Sequence, residues 1–351
     1  MKVLYYPLIQ QQAISSRQAG DYLTDTLFHG LRSLLGEDLI DGYRMWHVYN
    51  DAHPESLSHL WGKGFTTYGL LPNIKIDRDD IGGKIQSRYF DYIICPMHHT
   101  MVQDWKTAKD IIKKVLEFYP ANKVCLIDGW DRPYTDTSLM SLVPFFKREI
   151  NEETSQAKPI SFSIPKEKLR PLGGKRKQID FAPLVPAYGH FDDPHMKSYI
   201  YDNEKDYYDM YEESYFAYTC KKGREHVLEE SWDCMRHYEI LAAGSVPYFT
   251  DIEKCPPKSM FRFPKDLCIK AKKMSGVMPG TKKPFDPEED TFIGTSKAIQ
   301  DGSARGYIDY ANFNNIEYEN LLREFREYTE KYLTTESMAK YLLEEMKKCS
   351  E

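Results

Sequence analysis

Arg236 and Glu239 stand three residues apart in the stretch SWDCMRHYEILAAGSVPYF, residues 231–249, so on a helix they share one face. A guanidinium matches phosphate oxygens with a fork of N–H donors, and a carboxylate accepts hydrogen bonds from vicinal hydroxyls. Together they could hold the diphosphate and the ribose of a nucleotide. The plainer alternative is an exposed intrahelical ion pair, worth about 0.3–0.5 kcal/mol. The end signals predict a helix of about thirteen residues: Ser231 as N-cap, Asp233 in the first turn, and Gly244 just past the end. Upstream, Lys221, Lys222 and Gly223 form a basic turn that closes the preceding strand. Ligands of doubly wound sheets lie outside the carboxyl ends of the strands, against helix N-termini. Lys221, Lys222, Gly223, Ser231 and Arg236 would therefore converge on an anion, with Glu239 further along.

Positioning such a site requires a parallel sheet, and the chain reads as one twice over. Strand-sized apolar runs alternate with helix-sized periodic stretches, which argues α/β. KVLYYPLI precedes a helix with Leu23, Leu27, Leu31, Leu34 and Leu35 on one face, ended by Gly36. MWHVYN, YFDYIICP, a helix around 110–118 and KVCLIDGW complete a Rossmann-like half that ends near 147–150. Residues 151–178 mix proline, glycine and charge and read as a boundary. A second series follows: IDFAPLVPA, SYFAYTC, the Arg236 helix, VPYFTD and DLCIKA. Two amphipathic patterns close the chain, Ile316/Leu321/Leu322/Phe325 and Met338/Leu342/Met346. The expected domains are 1–160, a linker at 161–178, 179–315, and helices at 316–351 packing back on the first half.

Composition bounds the function. The chain has 351 residues, 41% hydrophobic and 28% charged, with a net charge of −6; that length suits two domains rather than one core. The acidic balance argues against a nucleic-acid partner, and the longest apolar runs fall far short of the roughly 20 residues of a membrane helix. MKVLYYPLI lacks the layout of a secretory signal, which reads as a cytoplasmic chain. Seven cysteines without a CxxC pair point to free thiols rather than zinc or redox work, and no metal or other cofactor is expected.

The segment SYFAYTCKKGREHVLEESWDCMRHYEILAAGSVPYFTD resembles the donor half of GT-B glycosyltransferases, especially the exostosin-like and spore-coat-like groups. Their pattern R-x-x-E-x-x-A-x-G-x-x-P is matched by Arg236, Glu239, Ala242, Gly244 and Pro247. The resemblance implies two Rossmann-like domains facing a cleft, 1–160 for the acceptor and 179–315 for a nucleotide-sugar donor, with a glutamate on the ribose of that nucleotide-sugar and basic groups on its diphosphate. It implies transfer of a hexose or pentose to a glycan or other hydroxyl acceptor. Only one glutamate occupies the donor motif, so an inverting displacement is the preferred expectation. Other expectations of the same architecture are an inactive nucleotide- or sugar-binding module, a nucleotide-sugar epimerase or a glycan phosphorylase.

A base for the acceptor is sought at strand ends of the first half: His98 and His99 after YIICPM, and Asp128 and Asp131 after VCLI. Histidine titrates near neutrality, whereas an aspartate needs burial to do so; Asp128 equally suits a turn that bonds its own backbone. Asp128, His99 and Asp131 are the candidates. Three further signals are set aside: the D-x-D of DRDD (77–80) as a chance acidic loop, GGKRK (173–177) as a solvated basic run, and the tyrosine-rich stretch 202–218 as core.

Overall fold

A computed structural model describes residues 1–9, 20–58, 60–98, 101, 104–182, 203–224, 227–249, 251–278 and 306–351. In chain order the main elements are β1 (Val3–Tyr5), α1 (Tyr22–Leu35), β2 (Leu39–Asp41), β3 (Tyr92–Met97), α2 (Trp105–Leu116), β4 (Val124–Asp128), β5 (Phe145–Lys147) and β6 (Lys158–Pro159). They continue with β7 (Ile179–Ala182), α3 (Glu204–Glu212), β8 (Ser214–Tyr218), β9 (Lys222–Arg224), β10 (Val227–Ser231), α4 (Met235–Ala242), β11 (Val246–Tyr248) and α5 (Lys265–Lys272). The last are β12 (Val277–Met278), β13 (Tyr307–Ile308), α6 (Asn315–Tyr328) and α7 (Thr335–Ser350). The chain divides into two compact units. One is Met1–Pro165 with Pro256–Phe261 and Thr334–Glu351; the other is Lys166–Cys255 with Arg262–Leu333.

The first unit is built on a parallel sheet in the order β2-β1-β3-β4-β5-β6. Its central strands are buried along their whole length, as parallel strands covered on both faces must be. Burial pushes the Cys95 thiol up to about 12. The strand order reverses at β1, which places a crevice outside the carboxyl ends of β1 and β3. Helix α1 starts where the Asp21 carboxylate accepts the Thr24 N–H at 3.0 Å, and it buries Leu23, Leu27 and Leu31. Gly30 lets it lie against α7, because a Cβ there would come within 2.0 Å of the Thr335 carbonyl oxygen. One sequence expectation changes here. MWHVYN is not a strand: Trp46–Val48 is a tight helical turn, and the neighbouring strand is the short buried run Leu39–Asp41.

The second unit centres on a parallel sheet, β11-β8-β7. Its two crossovers step in the same direction, and the usual right hand places α3 and α4 on one face. Phe181, Phe216 and Tyr218 stack on the sheet at centroid distances of 5.0–5.1 Å, so part of the aromatic-rich stretch is core. DLCIKA forms helix α5 rather than a strand; periodicity cannot separate the two over so short a run.

The stretch 316–351 does not pack back on the first half as a block. Helix α6 belongs to the second unit: Tyr318 donates to the Tyr215 carbonyl at 2.8 Å, Leu321 and Phe325 are buried, and Ile316 is exposed. Helix α7 belongs to the first, burying Met338, Leu342 and Met346.

Candidate functional site

The Arg236 helix is shorter than its sequence suggests. Ser231 pairs with Lys222 in the antiparallel β9–β10 hairpin, and its hydroxyl donates to the Asp233 carbonyl at 3.4 Å. It is therefore the end of a strand, not the N-cap. Helix α4 begins at Met235 after Cys234, which makes no side-chain cap. Its other end is as expected. Gly244 adopts φ +75°, its N–H donates to Leu241 and that of Ser245 to Ile240, both at 3.1 Å, the paired bonds of a Schellman cap. Nor does Lys221-Lys222-Gly223 close β8. That strand ends at Tyr218, and Lys222 and Gly223 open the hairpin. Lys221 sits with its ammonium 5.3 Å from the centre of the Trp232 ring.

Arg236 and Glu239 are not an exposed pair; their residues are 5% and 4% accessible. The Arg236 Nε donates to the Thr219 hydroxyl at 3.1 Å and a terminal nitrogen to the Cys220 carbonyl at 3.3 Å. Thr219 lies just past the carboxyl end of β8, and its hydroxyl is 2.7 Å from Nδ1 of His237. The other imidazole nitrogen, Nε2, is 2.9 Å from the Trp232 carbonyl. A carbonyl only accepts, so Nε2 carries a proton, and in the neutral ring Nδ1 accepts from Thr219. The chain runs Arg236 to Thr219 to His237 to Trp232 and fixes the guanidinium at the strand end. Glu239, one turn deeper, accepts a hydrogen bond from Tyr207 of α3 at 2.6 Å. None of Thr219, His237 and Tyr207 is a candidate by sequence, and Tyr207 belongs to the stretch set aside as core. His237 adjoins Arg236, but nothing in the sequence ties Tyr207 to a residue 32 positions away.

In the first unit the base candidates are otherwise engaged. Asp128 ends β4, 1% exposed. One carboxylate oxygen accepts from Lys147 at 2.7 Å and the other from the Trp130 N–H at 2.9 Å. It is both a turn former and half of a buried ion pair with the residue opposite it in β5. Asp131 pairs with Arg148, whose guanidinium also lies 4.5 Å from the centre of the Phe162 ring. His99 lies outside the described residues. His98 is buried, and its backbone N–H donates to the Leu8 carbonyl at 3.0 Å.

Two other groups meet in the same unit without any sequence signal. Nε2 of His47 is 2.8 Å from an oxygen of Asp25, both side chains fully buried. The second Asp25 oxygen accepts the Asp21 N–H at 2.7 Å. Next to them, Asp41 takes Arg32 at 3.0 Å and Arg78 at 2.9 Å.

The set-aside acidic run has ordinary duties: Asp77 pairs with Lys84 at 2.9 Å, Asp80 caps Ile81–Gln86 through the Gly83 N–H, and Arg78 is spent on Asp41. In GGKRK, Lys175 pairs with Asp209 and Glu213, and Lys177 donates to three carbonyls. No helix among the described residues is long and apolar enough to cross a membrane.

No family model matches the chain, and no curated protein matches it either. Over 99% of this chain and 100% of the other, the structure is similar to an alpha-glucosyltransferase solved in complex with UDP and a 13-mer DNA containing a central A:G mismatch, at 11% identity and a TM-score of 0.46. At that distance the likeness assigns no residue a role.

Proposed function

We propose that the protein is a glycosyltransferase of the GT-B kind, moving a sugar from a nucleotide-sugar donor to a hydroxyl on a glycan or other acceptor. The observation that supports this most is the Arg236–Thr219–His237 chain at the carboxyl end of β8, where an α/β sheet receives its ligand. A buried arginine with a fixed head is a preorganised partner for a diphosphate whose charge grows as the glycosidic bond breaks. The α4 N-terminus adds its dipole, and Lys221 supplies a second cation. Glu239, which accepts the Tyr207 hydroxyl, is assigned to the ribose hydroxyls, the vicinal donors a carboxylate accepts from.

Arginine and lysine together neutralise a diphosphate, so the reaction is assigned no metal. Of the two carboxylates of the D-x-D, Asp77 and Asp79, the first already serves a salt bridge with Lys84. With one glutamate in the donor motif, a single displacement with inversion is the preferred course.

A thermal-shift screen against UDP-, GDP-, CMP- and dTDP-sugars tests the reading. A ligand that binds only the folded state adds about 2.7 kcal/mol at a hundredfold excess over Kd. A shift with one nucleotide class, followed by release of that nucleotide on incubation with acceptor, is the expected result. No shift with any of them overturns the proposal, and a shift without turnover leaves a nucleotide-binding module.

A further inference from the structure

A cavity of about 820 Å³ lies wholly within the second unit, a size within the roughly 300–1,000 Å³ of small-molecule sites. Lys177 and Gln178 lead into β7 and Tyr215 opens β8, so the cavity sits at the amino ends of the strands. Arg236 is held beyond the other end of β8, by Thr219, and the length of that strand, about 3.3 Å per residue, lies between the two places. Helix α6 forms the facing wall through Tyr318, Glu319, Leu322 and Arg323. The lining is basic, in a chain of net charge −6. Lys175 is neutralised by Asp209 and Glu213. The Lys177 ammonium gives its three protons to carbonyls and acts here through its charge alone. Arg323 spends one N–H on the Glu319 carbonyl and another on Asn320, which leaves three of its five donors. Arg176 is exposed and makes no ion pair among the described residues. Against these cations the lining sets one carboxylate, Glu319.

We propose that this cavity binds a phosphorylated sugar, either free or as the ribose phosphate of a nucleotide. The surplus cations suit a phosphate monoester, which carries a charge of about −1.5 to −2 at pH 7, and Arg176 and Arg323 meet it with guanidinium forks. The ring has a place as well. Tyr310 is 58% exposed, its hydroxyl donates to Asp180, and its ring meets that of Tyr215 edge-on at 6.3 Å. One exposed tyrosine is ordinary on any surface; one pinned at its oxygen on the lip of a basic cavity is a rigid stacking face for the C–H side of a sugar or for a base. Glu319 accepts from hydroxyls, and the exposed amides of Gln178 and Asn315 both accept and donate. The occupant is separate from a donor at Arg236, so this site stands or falls apart from the glycosyltransfer reading.

The test titrates the full chain by calorimetry with glucose 6-phosphate, AMP and inorganic phosphate. At least one of the two ring compounds should bind about fivefold or more tightly than phosphate alone, the low end of a stacking contact, and salt should weaken the binding. Arg176→Glu removes no ion pair of the folded chain, so it should keep the melting temperature yet weaken the ligand about tenfold or more, the loss of one hydrogen bond to a charged group. Tyr310→Ala should weaken it about fivefold or more. Thr219→Val, at the other end of β8, should leave this affinity unchanged. Selective binding of glucose 6-phosphate identifies a free sugar phosphate, selective binding of AMP a nucleotide, and both uphold the site. Absence of binding by either at millimolar concentration, binding no tighter than that of inorganic phosphate, or binding that Arg176→Glu leaves intact overturns it. Loss in Thr219→Val but not in Arg176→Glu also overturns it, placing the ligand beyond the carboxyl end of β8. Failure of every nucleotide-sugar to shift the melting temperature, by contrast, removes the glycosyltransfer reading and leaves this site standing.

Discussion

The two units each bury a histidine beyond the carboxyl ends of a parallel sheet, and they use it in opposite ways. His237 has both ring nitrogens occupied, one by Thr219 and one by the Trp232 carbonyl; His47 has one occupied, by Asp25, and one without a partner among the described residues. A closed imidazole is a strut. The other is held at one nitrogen by a carboxylate and leaves a buried polar atom whose hydrogen bond is unmade among the described residues.

The comparison is most open to breakage at the first unit's other strand-end charges, which are closed like His237. Asp128→Ala leaves the Lys147 ammonium buried without its carboxylate, and removing one partner of a buried pair costs about 3–5 kcal/mol. Urea unfolding should show a loss of that size. If the loss is under about 1 kcal/mol, Asp128 is not a brace and returns as a base candidate.

Thr219→Val attacks the closed chain of the second unit at its middle. It strips a hydrogen bond from Arg236 and from His237 together, and each buried group left unsatisfied costs about 1–3 kcal/mol. Nucleotide affinity should fall with it. Glu239 sharpens the same point: Glu239→Gln keeps an acceptor for Tyr207 and should preserve the melting temperature, yet weaken nucleotide binding by about 1.5–3 kcal/mol, the range for bonds to a charged group. Equal nucleotide affinity in parent and variant removes the ribose role.

How much of this could be read from the sequence follows from which contacts are local. The strands YIICPM and VCLID were legible because a strand buried on both faces is an unbroken apolar run. The α1 face and the Gly244 cap were legible because helix period and left-handed glycine are written within a few residues. Leu39–Asp41 was not, since three residues ending in an acid look like a turn, and the β9–β10 hairpin hid the true start of α4. Arg236 and Glu239 were found by spacing, but their burial was not, because Tyr207 and Thr219 come from other elements. Asp25 and His47 lie 22 residues apart in different elements, a juxtaposition that no spacing rule anticipates.

Lys177 gives a smaller effect with a definite sign. Its ammonium donates to the carbonyls of Glu212, Ser214 and Gly244, tying the ends of α3 and α4, and burial lowers its pKa from 10.5 to about 8. Between those values the unfolded chain holds more protons on this lysine than the folded one, so its contribution to stability rises from pH 8 to 10.5. Below pH 8 both states are charged and the dependence disappears. Denaturation midpoints of wild type and Lys177→Met, compared at pH 7.5 and 9.5, should diverge in that sense. Parallel curves would mean that the three carbonyls hold the ammonium charged through the whole range.

The smallest effect is expected where the charges are neither buried nor closed. Asp77 is exposed, its side chain 70% accessible, and pairs with Lys84 at the surface. The lysine and the Asp79 N–H hold its carboxyl below the usual range, but solvent screens an exposed pair and long side chains lose entropy in making it. Asp77→Ala should leave the melting temperature within the error of the measurement, with any small change fading as salt is added. The same variant tests the metal-free reading, since a D-x-D that carried a divalent ion would be needed for turnover. Activity should survive both Asp77→Ala and EDTA. If either abolishes transfer while nucleotide binding persists, Asp77 and Asp79 enter the site and the metal-free reading falls.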